Sequence, residues 1–234
     1  MLIEICCSSI ESVENAVKGN SQRIELCEDL INDGLTPSPE LLSATVEACP
    51  IPIHVLIRPR WGNFIYNKAD INATEIAIEM VKSYPIQGVV IGVLNEKHQV
   101  PFDILKEWVD QIQPLDLTFH RAFDVAENPM ETLKGLMDLG FDRILTSGQE
   151  SSAVTGLELL KKLKVESEAH LTIMPGGGIT DKNCSVFFEN GFEEVHLSAK
   201  NGNVSKTSKD PISDLEIIKS VVAQSKKFKL KYDS

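Results

Sequence analysis

Two cysteines, Cys6 and Cys27, each stand two residues after a glutamate, Glu4 and Glu25, in the short aliphatic runs LIEICC and RIELC. Side chains alternate across a strand, so isoleucine and leucine take one face while the glutamates and cysteines take the other. Two soft thiolates held close together select Cu(I) or zinc over hard cations, and imidazole is an acceptable partner. The competing reading is packing, because free cysteine is among the most buried residue types. The same parity turns His54, Leu56 and Arg58 inward in IHVLIR, His120 inward in LDLTFH, and His196 and Ser198 inward in EVHLS.

A second set of residues points to anions. Arg58 and Arg60 end one run and Arg121 follows His120, and guanidinium is the bidentate reader of carboxylate and phosphate. The turn Gly176-Gly177-Gly178 leads into a helical pattern, and Ser198 follows the last strand signal. Backbone amides of such a turn favour a negative group. The candidate anion site is therefore Arg58, Arg60, Arg121, Gly176, Gly177, Gly178 and Ser198. In an enzyme of this kind, Glu25 or His120 would move the proton. No lysine ends any of the first seven strand signals, which argues against Schiff-base chemistry.

Eight strand signals position these residues, starting near Leu2, Arg23, Ile53, Gln87, Leu115, Asp142, His170 and Glu194. Successive starts leave room for one strand and one crossover helix each time. Helical patterns lie between them at Ile10–Lys18, Pro39–Ala48, Ile71–Ser83, Phe102–Ile112, Pro129–Leu139, Ser152–Leu163, Lys182–Asn190 and Pro211–Gln224. The expected fold is α/β, a single-domain parallel eight-stranded (β/α)8 TIM-type barrel over residues 1–225, with a basic tail over 226–234. A doubly wound open sheet is the alternative, but no GxGxxG turn follows the first strand. In a barrel the chemistry gathers where the strands end.

The chain has 234 residues and a net charge of −11, which argues against nucleic acid or an acidic membrane surface as partner. No apolar run approaches the ~20 residues of a bilayer span, and an acid occupies the N-terminal flank where a signal peptide is basic. Five cysteines, an odd number without repeated spacing, read as reduced thiols. A cytoplasmic protein is expected, with no organic cofactor indicated and a homo-oligomer left open.

The segments IEICC, RIELCEDLINDGLTPS, HVLIRPRWGNFIY, LTFHRAFD, RILTSGQ, PGGG and EVHLSA together resemble the CutC family, named for copper homeostasis. The resemblance runs from about Leu2 to Ala199. It implies a TIM-type barrel, a cytoplasmic location and copper handling, with the family's Cu(I)-binding cysteines matching Cys6 and Cys27. Trp61 and Asn63 depart from the family's RPRGGDF pattern, Asn95 stands where GVLD is common, and Leu197 replaces a small polar residue. Three functions follow as expectations. One is a copper-homeostasis protein binding Cu(I), and another a barrel enzyme acting on a small anionic, for instance phosphorylated, metabolite. The third is a barrel working by protein contact alone.

Overall fold

The strands form where aliphatic and polar residues alternate: β1 (Leu2–Cys7), β2 (Arg23–Leu26), β3 (Ile53–Leu56), β4 (Gly88–Ile91), β5 (Asp116–Phe119), β6 (Arg143–Thr146), β7 (Thr172–Pro175) and β8 (Glu194–Leu197). In this computed structural model, which describes residues 1–168, 170–205 and 209–232 with side chains as far as Phe228, all eight lie in one parallel sheet. The order is β7-β6-β5-β4-β3-β2-β1-β8. A single bridge between Gly176 and His196 brings the two ends together. The expected TIM-type barrel is what the chain builds.

Helices α1 (Ile10–Lys18), α2 (Pro39–Ala48), α3 (Lys68–Lys82), α4 (Phe102–Ile112), α5 (Pro129–Asp138), α6 (Leu157–Glu166), α7 (Cys184–Glu189) and α8 (Leu215–Tyr232) follow the strands in turn. Their starts are written in the sequence. Ser9 caps α1 by accepting from Ser12 N–H, Asn67 and Asp70 form a capping box on α3, and Pro129 opens α5. The outward strand residues Ile3, Ile5, Ile24, Leu26, Val55 and Leu117 are buried in the main core beneath these helices.

Several boundaries shift by one to three residues, α3 opening at Lys68 and α7 at Cys184, and three differ more from the expectation. The residues before α6 form a turn, because Ser152 and Thr155 satisfy each other's backbone and hydroxyl groups in a non-helical arrangement. Pro211–Ser213 is a strand, β10, paired antiparallel with β9 (Lys200–Val204). A proline on a two-stranded edge forfeits no ladder bond that a helix start would have kept. The basic run from Lys226 belongs to α8, which continues through Tyr232, since lysine and leucine are good helix formers and no glycine or proline intervenes. Asp233 and Ser234 lie outside the described residues.

Inside the barrel, charge replaces the usual aliphatic layers. Arg23 pairs with both Glu4 and Glu194 and reaches Met174 Sδ at 3.3 Å. Arg143 lies 3.3 Å from both Asp116 and Glu194. His54 fits only because position 88 is glycine: a Cβ there would sit 2.6 Å from its ring. This layer forms the floor under the site.

Candidate metal and ligand site at the barrel mouth

Register across β1 and β2 sets Cys6 beside Glu25, and Cys27 follows one residue past β2, tied by its N–H to Cys7 O at 2.9 Å. Cys6 Sγ is 3.6 Å from Cys27 Sγ and donates to Glu25 Oε1 at 3.5 Å. Glu25 Oε2 is buried with no partner among the described residues. His196 arrives from β8, on the other side of β1, with Nδ1 2.8 Å from Glu4 Oε1. Ligand atoms of Cys6, Glu25 and His196 all lie within 4.8 Å of one another. Cys6, Cys27, Leu56 and Val90 also pack as a small apolar cluster, so the pair is both site and core.

Electrostatics favour the protonated forms of the two thiols and of His196. The hydrogen bond with Cys27, burial and the charge of Glu25 push the Cys6 thiol well above its ordinary range. For Cys27, the bond from Cys6 favours the thiolate, but burial and Glu25 outweigh it and its pKa also rises. Burial raises Glu25 against the pull of His196. Burial would lower His196, yet Glu25, Cys6 and Glu4 together raise it well above the usual imidazole value. A metal could replace those protons. Two thiolates sharing one tetrahedral ion at ~2.3 Å bonds are roughly 3.8 Å apart. The observed 3.6 Å, with an orphaned carboxylate oxygen alongside, fits a soft or borderline cation.

A cavity of about 860 Å³ opens above this group. Cys6, Glu25, Arg58, His120, Arg121, Gly177, Gly178, Ser198 and His196 line it, whereas Cys27, Arg60 and Gly176 do not. Arg58 is inward but committed. Its guanidinium donates to the carbonyls of Asn32 (3.3 Å), Asp33 (3.1 Å), Gly34 (3.0 Å) and Gly62 (2.7 Å), fastening the loops after β2 and β3. Arg60 turns away to pair with Asp70 at 2.9 Å and to donate to the Trp61, Asn63 and Ile65 carbonyls. The expected pair of anion readers is thus a pair of loop fasteners, because unpaired turn carbonyls nearby compete for the same donors. Replacing Arg58 by alanine leaves four carbonyls without their donor and lowers the unfolding free energy by about 3 kcal/mol or more. Lysine restores little, lacking the planar fork. Urea denaturation measures both, and a loss under ~1 kcal/mol would contradict the fastening role.

His120 is held by its surroundings. Burial, with Arg58 nearby, pushes it down to about 3, and its Nδ1 accepts from Ala122 N–H at 3.1 Å. The remaining proton therefore sits on Nε2, which has no acceptor among the described residues. Phe64 packs on the ring at 4.7 Å between centroids. This makes His120 a neutral hydrogen-bond donor.

The sequence profile of the CutC family matches residues 1–201. This chain belongs to the CutC family. It is 42% identical over 205 residues to the mouse copper homeostasis protein cutC homolog, covering 87% of this chain and 75% of that one. The human homolog is 42% identical over 200 residues, covering 85% and 73%. A solved CutC from Streptococcus agalactiae superposes with a TM-score of 0.79 at 28% identity, covering 85% of this chain and 98% of that one. Thiamine phosphate pyrophosphorylase from Pyrococcus furiosus, at 18% identity and TM-score 0.59 over 97% and 96%, shares the fold alone. No described helix is long and apolar enough to cross a membrane.

Within this CutC barrel, two functional neighbours, Ser147 and Phe64, escaped sequence reasoning. Asp124, which the sequence places close to His120 and Arg121, accepts from Arg121 Nε at 2.7 Å, as the i,i+3 spacing in HRAFD allows. Ser147 and Phe64 carry no such signal, since they arrive from separate loops. The Glu4–His196 contact required knowing that β8 closes against β1.

Proposed function

We propose that this CutC-family protein takes Cu(I) as cargo on Cys6 and Cys27, in a reducing compartment such as the cytosol. The observation that carries the reading is the 3.6 Å approach of two free thiols beside the cavity. Cys6 lines the cavity and Cys27 is fully buried behind it, so the ion meets Cys6 first. Glu25, already accepting the Cys6 S–H, is adjacent for the proton that the thiol gives up. His196, anchored by Glu4, supplies an imidazole at the same place. The acid/base enzyme alternative has less to work with, because His120 spends Nδ1 on the backbone and stays neutral.

Competition titration of the reduced protein against a Cu(I) chelator tests this. Cys6→Ser and Cys27→Ser each weaken Cu(I) binding by roughly 100-fold or more, whereas Cys184→Ser, buried at the start of α7, leaves it unchanged. Unchanged affinity in both of the first two variants would reject the site.

A further inference from the structure

We infer that the cavity also binds a small organic anion, a phosphate monoester or carboxylate with an apolar body, whose charged group sits on Arg121 between the loops after β7 and β8. This goes beyond the copper reading and does not depend on it.

Arg121 is the cavity's prepared cation. Its Nε is fixed by Asp124 at 2.7 Å and its Nη2 by Ser147 Oγ at 3.2 Å, while 45% of the side chain stays exposed. Asp124 is itself held by the N–H groups of Ser147 (2.9 Å) and Gln149 (3.3 Å) and by the Thr146 hydroxyl. A nearly buried carboxylate with this many bonds orients a half-exposed guanidinium and leaves Nη1 without a bond among the described residues. Orienting a long side chain in advance removes much of the ordering cost of binding. The backbone beside it is cut back to match. A Cβ on Gly177 would lie 3.4 Å from the Arg121 guanidinium carbon, and its φ of +103° is open to glycine and strained for other residues. Ser198 and Lys200 bring further donors to the same wall from beyond β8, and the loops after strands 7 and 8 are the usual phosphate position in this fold.

Two further observations specify an organic ligand. Leu56, Phe64, Leu145 and Ile179 give the cavity an apolar wall, far more than an inorganic ion uses. His120, which is 4% exposed and lines the cavity, keeps against Phe64 an Nε2–H that has no acceptor among the described residues, a donor suited to an uncharged oxygen of the ligand. Asp33 and Asp181 also line the cavity, so contact at Arg121 and the turn must select the anion, not a general positive field.

Phenyl phosphate, benzoate and inorganic phosphate serve as probes, titrated calorimetrically into the metal-free protein. Phenyl phosphate or benzoate binds saturably, whichever is tighter naming the charged group, and inorganic phosphate binds at least 10-fold more weakly than the better probe. Arg121→Gln lowers that affinity 10-fold or more and Arg121→Lys recovers only part, while the unliganded melting temperature of both stays within a few degrees of wild type. The Nε2 resonance of His120 shifts on binding in the wild type. No saturable binding of either organic probe, equal binding by Arg121→Gln, or inorganic phosphate binding as tightly as the organic probes would overturn the inference.

Discussion

Glu4→Gln lowers the unfolding free energy by about 3–5 kcal/mol, the range for removing one partner of a buried ion pair. Glu4 is fully buried and answers two cations, Arg23 through Oε2 and His196 through Oε1 at 2.8 Å. Burial by itself would raise its pKa, but Arg23 and His196 outweigh it and hold the carboxyl well below its ordinary range. Glutamine keeps the shape and removes the charge. Arg23 then retains Glu194 alone, and His196 loses the acceptor that fixes its ring. Urea denaturation at neutral pH reads the loss. A change below ~1 kcal/mol would mean that the inner charges are held by solvent and not by each other.

Acid weakens the fold through two histidines that the barrel keeps neutral. Burial, reinforced by Arg23 and Arg143 against the opposing pull of Glu4 and Asp116, lowers His54 to about 3. Burial, reinforced by Arg58, does the same to His120. Between the unfolded value of 6.5 and the folded value near 3, only the unfolded chain takes up these two protons. Their contribution is complete above 6.5 and drains away as pH falls, at about 1.4 kcal/mol per pH unit for each histidine. His196 runs the other way. Its pKa is raised, so its contribution is complete below the unfolded value and is lost only as pH climbs through the folded one. Together the two histidines therefore take about 2.7 kcal/mol per unit from the stability between about pH 6 and 4, and His54→Gln or His120→Gln each removes roughly half of that contribution. Equal slopes in wild type and the double variant would refute the assignment.

Period-two alternation made much of this architecture legible. The inward placement of Glu4, Cys6, Arg23, Glu25, His54 and His196 follows from the aliphatic residues between them, because one face of each strand had to meet the helices. What a side chain does after it turns inward is another matter. Arg58 points the expected way, yet its partners are carbonyls of turns around Asn32 and Gly62, and backbone acceptors leave no mark on sequence. Arg121 was legible as a mouth residue, while the hydroxyl and amides that hold Asp124 behind it come from the last residue of β6 and the loop after it. Cys6 and Cys27 were legible as neighbours because adjacent strands in the chain are adjacent in the sheet. Contacts made by closing the barrel were not.

That closure has a thermodynamic consequence. Every other neighbouring pair of barrel strands shares a run of register, but among the described residues β7 and β8 are joined by the single bridge between Gly176 and His196. The sheet is a strip with one clasp, and the clasp lies beside the cavity wall, where Gly177 and His196 face in. A guest touching both sides adds a second fastening, so occupancy and closure become linked variables. Ligand at a hundred times its dissociation constant adds about 2.7 kcal/mol to the closed form. The proposed copper site shares His196 with this seam, so an ion filling that site also works as a rivet in the barrel.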